Sequence, residues 1–341
     1  MNSAPSRGDP WVGAWLVIVC ACVLAMILVG GVTRLTDSGL SITEWDLGKG
    51  LTPPLTAERW AEEFALYQRT TEYQLQNRGM SLAEFQSIYW WEWSHRFLGK
   101  MIGVVFALPF FFFLATGRLR GRFWPVLGLF LLGGLQGAIG WWMVTSGLFS
   151  GLDVSSVRLA VHLGLALVIL AYAQWLALAE FGWPREHSQV GAPAWTLCAL
   201  IALIVTQAMF GALLAGARAG AAYPDWPTIG GEWIPASALS LEPLWRNFTE
   251  SHATQHLMHR TLGYGVALCA LVLAVFAAFR GGGISRAMAM GLGALAFLQV
   301  LLGVATVLTG TPFWLALAHQ FGAAALWLLA VTTLRSAMAV R

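Results

Sequence analysis

The main pattern along the chain is a series of long apolar stretches separated by polar segments. A helix needs about 20 consecutive apolar residues to cross a bilayer. Eight stretches reach that length, so the sequence predicts eight membrane-spanning helices. They lie at about 11–31, 94–116, 123–146, 159–180, 194–216, 256–279, 287–309 and 315–334. The first follows an opening with a single arginine and ends without a small-residue cleavage motif, so we expect a retained helix rather than a signal peptide.

Two of the segments between the spans are long enough to fold. In the first, about 32–90, Ser81 and Glu84 form the pattern of a capping box, and a helix is expected to run from there into the second span. Residues 57–70 predict a short amphipathic surface helix. The segment at about 217–252 is rich in Pro, Gly and Trp, and we expect it to fold over the membrane face.

The distribution of arginine orients the spans, because short loops rich in arginine stay in the cytoplasm. If the N-terminus is cytoplasmic, the segments on that side contain nine arginines against three acidic residues, Asp9, Glu180 and Glu186. The arginines are Arg7, Arg118, Arg120, Arg122, Arg185, Arg280, Arg286, Arg335 and Arg341. We therefore predict a membrane protein with both termini in the cytoplasm and the two long segments on the external face.

Composition supports a membrane protein and excludes several kinds of chemistry. Only 11% of the residues are charged, whereas a soluble domain has about 25%. The net charge of +3 gives no reason to expect nucleic acid as a partner. The cysteines lie within apolar stretches, without a CxxC or CxxCH motif, which excludes a zinc cluster and c-type haem attachment. They are Cys20, Cys22, Cys198 and Cys269.

The two halves of the chain resemble each other. The motif His-Arg-x-Leu-Gly occurs at His95 and again 164 residues later at His259. Other pairs follow in the same order along both halves. They are Gln136 with Gln299, Gly140 with Gly303, Gly147 with Gly310, His162 with His319, and the segment 39–45 with 220–226. We therefore expect an all-α protein made of two repeated four-helix bundles in the same orientation, residues 1–187 and 188–341.

Four histidines lie near the outer ends of even-numbered spans, at His95, His162, His259 and His319. Ionisable residues at membrane depth are rare and usually functional. Two imidazoles from two helices of one bundle are typical of bis-histidine haem ligation, and the small residues that follow each histidine leave room for a flat macrocycle. One haem per half, near the external face, is the prediction. Structural histidines in tightly packed small-residue helices are the alternative.

The two halves differ beside the first histidine of each pair. Glu92 lies three residues before His95, whereas the equivalent position in the second half is His256. A carboxylate beside a haem can act as an acid or base or stabilise charge. Arg96 and Arg260 are candidate partners for haem propionates, or extend to the membrane interface. His187 and His252 are expected in solvated loops.

Several motifs resemble haem A synthase of alphaproteobacteria and mitochondria, over about 11–334. They are GGVTRLTDSGLS at 30–41, Glu44-Trp45, EWSHR at 92–96 and GGLQGAIGWWMVTSGL at 133–148. The resemblance implies oxidation of the C8 methyl group of haem O to the formyl group of haem A, by successive hydroxylations, for aa3-type terminal oxidases. It also implies that His259 and His319 bind the iron of a resident haem b, and that His95, His162 and Glu92 form the substrate site.

The resemblance leaves some matters open. Some bacterial members carry a cysteine pair in an external loop, which this chain lacks, so the electron route and the electron partner are not indicated. Membrane lipid, haem O synthase and oxidase assembly factors are expected partners, and a homo-oligomer is compatible with the small-residue faces. A dihaem b-type cytochrome that only transfers electrons, and a repeat-built transporter, are the competing interpretations.

Overall fold

The computed structural model describes residues 8–44, 51–148, 152–183, 194–280 and 283–338, and most of these residues are in helices. The α-helices are α1 (Pro10–Leu35), α2 (Ala57–Tyr67), α3 (Thr71–Leu75), α4 (Leu82–Ala115), α5 (Phe123–Leu148), α6 (Ser156–Glu180), α7 (Ala194–Gly216), α8 (Arg246–Glu250), α9 (His252–Arg280), α10 (Gly283–Leu308) and α11 (Phe313–Met338). Among the described residues, eight of these helices are long and apolar enough to cross a membrane, namely α1, α4–α7 and α9–α11. The predicted all-α, eight-span fold is therefore confirmed.

The first external segment folds as the sequence predicts. Ser81 caps α4: its hydroxyl accepts from the Glu84 amide at 3.3 Å, and the Glu84 carboxylate accepts from the Ser81 amide at 2.8 Å. The helix then runs without interruption into the second span. The predicted surface helix is present as α2, and its last residue, Tyr67, is fully buried against Phe85, with ring centroids 5.2 Å apart. This aromatic contact fixes the external segment to the top of α4.

The first four spanning helices, α1 and α4–α6, are here called the first helix set, and the last four, α7 and α9–α11, the second. In the first, α1 packs on α4 and α6, and α5 packs on α6; in the second, α7 packs on α9 and α11, and α10 packs on both of those. Contacts between the sets run mainly from α6 to α7 and α11, and from α1 to α11. The predicted boundary between residues 187 and 188 lies outside the described residues, as does His187.

Polar side chains join the two sets inside the membrane region. The amide of Gln174 on α6 donates to the Leu328 carbonyl at 2.8 Å and the Thr332 hydroxyl at 2.6 Å, both on α11. In the opposite direction the Trp327 indole donates to the Leu167 carbonyl at 3.0 Å. Since unsatisfied polar groups are costly in an apolar medium, these bonds fix the orientation of α6 against α11.

The arginine-rich end is stabilised by ion pairs. Arg122, between α4 and α5, lies 2.6 Å from Glu180 at the end of α6, and Arg118 lies 2.9 Å from Asp9 at the start of α1. The Asp9 amide also donates to Glu180 at 2.7 Å. These residues belong to the segments that the charge pattern assigns to the cytoplasm. Arg7, Arg185, Glu186 and Arg341 lie outside the described residues, and the orientation stays a prediction.

Candidate active site

The two C-terminal histidines face each other across the second helix set. His259 is on α9 and His319 is on α11, with ring centroids 6.4 Å apart and ring planes at 78°. Two imidazoles on opposite sides of one metal ion, with metal–nitrogen bonds of about 2.0–2.1 Å, would have centroids about 6–6.5 Å apart. The observed separation therefore suits a shared metal ion.

Glycines on the neighbouring helices lie directly against these rings. A Cβ atom on Gly211 of α7 would lie 2.9 Å from His259 Cε1, and one on Gly303 of α10 would lie 3.2 Å from His319 Cε1. Any larger residue would displace the imidazoles. Glycine at both positions therefore allows the two imidazole rings to lie against the backbones of α7 and α10.

The N-terminal histidines also lie against glycines of neighbouring helices. His95 is on α4 and His162 is on α6, two helices of the first set. A Cβ atom on Gly30 of α1 would lie 3.2 Å from His95 Nε2, and one on Gly140 of α5 would lie 3.0 Å from His162 Cε1. Each helix set thus contains the histidine pair that the sequence assigned to it, with a glycine of a neighbouring helix against each ring.

Glutamine side chains beside the histidines have unused hydrogen-bonding capacity. Gln136 donates to the His162 carbonyl at 3.1 Å, and its amide nitrogen also lies 3.2 Å from His162 Nδ1. Four polar atoms in this region are buried without a hydrogen-bond partner among the described residues. They are Gln136 Oε1, the side-chain amide nitrogen and oxygen of Gln299, and His319 Nδ1. Since buried polar atoms are nearly always paired, these atoms fit a site that takes a ligand with polar edges.

Glu92 is 2% exposed and has several hydrogen-bond donors. Its carboxylate accepts from the Ser41 hydroxyl at 2.7 Å, the Ile42 amide at 2.8 Å and the Arg96 guanidinium at 2.6 Å. Arg96 also donates to the carbonyls of Ile42 and Glu44, at 3.0 Å each. The Glu92–Arg96 pair therefore fixes the chain that follows α1 against the outer end of α4.

The second half has the same arrangement around His256 and Arg260. The His256 ring donates to the Ala219 carbonyl at 2.7 Å. Arg260 donates to the carbonyls of Tyr223 at 3.1 Å and Asp225 at 3.0 Å. Tyr223 and Asp225 follow Ile42 and Glu44 by 181 residues, the offset of the sequence repeat in this region. We call each arrangement an arginine clamp: Arg96 on residues 42–44, and Arg260 on residues 223–228.

The clamps give the two arginines partners that sequence reasoning missed. Both guanidinium groups are engaged with loop carbonyls, and the suggested pairing with haem propionates stays a prediction. The only sequence signal for the clamps is the match of segment 39–45 with 220–226, of which Trp45 lies outside the described residues. His252 is not in a loop but is the exposed first residue of α9.

Together, the fold and the histidine pairs define a multi-pass membrane protein with two candidate metal sites, one in each helix set. The chain belongs to the COX15-CtaA family of cytochrome oxidase assembly proteins, whose profile matches residues 13–331.

Similar proteins of alphaproteobacteria support the same assignment. Heme A synthase of Parvibaculum lavamentivorans is 47% identical over 313 residues, covering 91% of this chain and 89% of the relative. Heme A synthase of Maricaulis maris is 47% identical over 330 residues, covering 96% and 95%. Heme A synthase of Bradyrhizobium diazoefficiens is 46% identical over 338 residues, covering 96% and 92%. The resemblance drawn from the sequence motifs is thus confirmed.

Proposed function

We propose that this protein catalyses the haem A synthase reaction. It oxidises the C8 methyl group of haem O to a formyl group by successive hydroxylations, and so acts as an oxidoreductase on a CH group. One observation carries this proposal beyond the names of its relatives. Two histidine pairs have matching glycines and matching arginine clamps, yet only the N-terminal pair has a carboxylate, Glu92, at the position that His256 occupies in the other.

The C-terminal pair is the proposed site of a resident haem b. The 6.4 Å separation of the His259 and His319 rings, the glycines against them and the unpartnered polar atoms nearby fit bis-histidine ligation. When bound, haem b would supply one-electron transfer chemistry. The carbonyl of Gln207 lies 3.3 Å from His259 Nδ1. A hydrogen bond from Nδ1–H to that backbone carbonyl would hold the tautomer in which Nε2 is free to bind iron.

The N-terminal pair is the proposed substrate site. His95 and His162 would bind the iron of haem O and so fix the macrocycle relative to Glu92. Gly30 and Gly140 leave room for the two imidazoles. Gln136, which contacts both the ring and the carbonyl of His162, would hold that imidazole in one orientation.

Glu92 is the proposed acid–base or charge-stabilising group of the reaction. Its donors orient the carboxylate before substrate arrives, so little reorganisation is needed during the reaction. His256 at the equivalent position cannot supply a negative charge. This difference is the reason for assigning oxidation to the N-terminal half.

We further infer that the protein lies in the bacterial inner membrane with both sites toward the periplasm. The histidine pairs lie at the helix ends away from the Asp9–Arg118 and Glu180–Arg122 ion pairs. Haem O synthase would supply the substrate. An oxidase assembly factor and an unidentified electron partner would complete the pathway.

The reaction is tested by co-expressing this chain with a haem O synthase, then extracting the haems from membranes and separating them by chromatography. Wild type should yield haem A. The variant His95→Ala should accumulate haem O while the purified protein keeps haem b. Wild-type membranes with haem b but no conversion of haem O would instead support an electron-transfer cytochrome.

A further inference from the structure

The two helix sets differ in how closely two of their helices pack. In the second set, α9 packs extensively on α10, whereas the equivalent helices of the first set, α4 and α5, touch at few positions. The contact between α9 and α10 reaches the backbone: a Cβ atom on Gly293 would lie 2.9 Å from the Ala274 Cβ atom and 3.5 Å from the Ala270 carbonyl oxygen. Small residues of this kind allow two helices in a membrane to approach closely.

Phenylalanines occupy the three equivalent positions of the first set, at the repeat offsets of 164 residues on α4 and 163 on α5. The pairs are Phe106 with Ala270, Phe110 with Ala274, and Phe130 with Gly293. The Phe130 ring centroid lies 5.5 Å from that of Phe106 and 5.5 Å from that of Phe110. Three packed aromatic rings therefore separate α4 from α5, whereas three small residues allow α9 to meet α10.

Trp15 of α1 holds Phe106 in place. The two ring centroids are 4.9 Å apart, and the Trp15 indole donates to the Val105 carbonyl at 2.9 Å. Pro109 has no amide hydrogen to donate to that carbonyl, which lies four residues earlier in α4. Helix α4 is therefore fixed to α1 at the level where the rings separate it from α5.

Between the phenylalanines and the histidines, the facing sides of α4 and α5 line an open space. Among the described residues, a Cβ atom on any of four glycines would have no atom of a neighbouring helix within 4 Å. They are Gly103 on α4 and Gly133, Gly134 and Gly137 on α5. We call this space the α4–α5 cleft. Gly133 is exposed, whereas its counterpart in the second set, Ala296, is only 2% exposed.

The cleft leads to the N-terminal histidines. On α4, Gly103 lies two turns after His95. On α5, Gly137 follows Gln136, whose amide nitrogen lies 3.2 Å from His162 Nδ1. Both walls of the cleft belong to helices that are long and apolar enough to span a membrane, so its open side faces lipid. The second set is closed at the equivalent place, where α9 packs on α10.

We propose that the α4–α5 cleft is the passage through which substrate haem enters the N-terminal site from the bilayer and product haem returns to it. The inference rests on the proposed function, which names haem O as the substrate. A haem is flat and largely apolar, so a glycine-lined gap between two spanning helices admits it edge-on from lipid. The closed contact of α9 with α10 is what a retained cofactor requires.

The test is the rate at which purified protein, with haem b bound, takes up haem O from lipid vesicles, followed by absorbance. Gly133→Phe and Gly103→Phe, on the two walls of the cleft, should each slow both uptake and release about tenfold, within the range over which association rates vary among variants of one site. The equilibrium affinity for haem O should change little. Leu135→Phe, at an exposed position on α5, is the control and should behave like wild type. The haem b content shows that each variant is folded.

The two variants lie on different helices, so misfolding of one leaves the other informative. A wild-type uptake rate in a folded variant would overturn the inference, and so would a lower affinity at an unchanged uptake rate, which would mean that the glycine contacts bound haem instead of its route. A changed oligomeric state without slower uptake would place a second copy of the chain on this face and would also contradict it. If the variants slow uptake but wild type forms no haem A, the proposed function falls and the passage stands. If wild type forms haem A and uptake is unchanged in the variants, the passage falls alone.

Discussion

At the scale of single residues, the histidines of the two halves are distinguished by the groups around them. His95 and His259 have the same glycine one turn later and the same arginine directly after them. What differs is the residue three positions earlier, Glu92 or His256. A carboxylate held by an arginine can act as an acid or base or stabilise charge, whereas the imidazole of His256 is bonded to a backbone carbonyl and cannot supply a negative charge.

The ligand role of the C-terminal pair predicts a loss of cofactor. His259→Ala or His319→Ala should each remove most of the resident haem b, because a single remaining axial ligand binds iron far less tightly. The haem b content per protein is measured by absorbance after purification. His252→Ala, which changes an exposed histidine on the same helix, is the control and should keep its haem. Full haem content in both ligand variants would show that the iron is bound elsewhere.

Much of the site was predictable from local spacing, and the rest was not. The four histidines and Glu92 were found because ionisable residues stand out in apolar helices. The partners of Glu92 were missed, since Ser41 and Ile42 are about 50 residues away and their contact depends on how the chain returns over α4. The contact of the Gln207 backbone carbonyl with His259 Nδ1 was also missed, because a backbone contact between helices leaves no signal in the sequence.

At the scale of elements, the external segments are fixed to the spans by buried polar groups. On α3, Glu72 is 4% exposed, and its Oε2 atom has no hydrogen-bond partner among the described residues. Burial raises the pKa of Glu72 from 4.5 to about 8; nearby Glu92, Asp153 and Asp37 add to the increase, and Arg218 opposes it. Between about pH 4.5 and pH 8, Glu72 therefore keeps its proton in the folded segment and loses it in the unfolded segment.

This raised pKa predicts a pH dependence of the external segment. Its contribution to stability is complete below about pH 4.5 and is lost as the pH rises through about 8. Residues 51–81 should become more sensitive to protease over that range, and Glu72→Gln, which is neutral at every pH, should flatten the dependence. Glu62→Gln, at an exposed position on α2, is the control and should behave like wild type. An unchanged pH profile in Glu72→Gln would contradict this assignment.

The C-terminal arginine clamp predicts that lysine cannot replace arginine. Arg260 donates to the carbonyls of Tyr223, Asp225 and Thr228, and the compact ammonium group of lysine cannot reach all three. Arg260→Lys should destabilise the segment 217–250 by roughly 2–4 kcal/mol, since hydrogen bonds from charged donors contribute about 1.5–3 kcal/mol each. Limited proteolysis within that segment measures the effect. Arg286→Lys, on α10, is the control.

Helix positions were largely predictable because apolar length and a capping box are local signals. The short helices α3 and α8 were not predicted, because five residues carry little periodicity. Their positions depend on tertiary contacts. Asn247 of α8 is fully buried, and its side chain bonds to the backbone of Leu241 and Leu244. These contacts form only when the loop folds over the helix ends, so the sequence carries no local signal for them.

At the scale of the whole molecule, the two halves are also joined beside the sites. Arg218, after α7, lies 2.7 Å from Asp153 and 3.2 Å from Asp37 of the first half. Arg34 of α1 donates to the carbonyls of Ala215 and Gly216 at the end of α7. These bonds fix the relative position of the two histidine sites. Electron exchange between the sites would require such a fixed separation.

The predicted orientation is tested by cysteine labelling in intact cells. Ser237→Cys, in the exposed loop between α7 and α8, should react with a membrane-impermeant thiol reagent. Arg120→Cys, in the exposed turn between α4 and α5, should react only after the membrane is opened. The native cysteines lie within spans and provide the background in the unmodified protein. The reverse labelling pattern would place the histidine sites on the cytoplasmic side.

The central claim is that the N-terminal half catalyses the oxidation and the C-terminal half holds haem b. The most direct test is to co-express haem O synthase with the wild-type chain, with Glu92→Ala or with His256→Ala, and to compare the haems extracted from the three strains. These two substitutions remove equivalent residues, so a general loss of stability would affect both. We predict haem A from wild type and His256→Ala, and only haem O and haem b from Glu92→Ala, with haem b still bound to the purified protein. Haem A from Glu92→Ala at the wild-type level would contradict the assignment of catalysis to the N-terminal half.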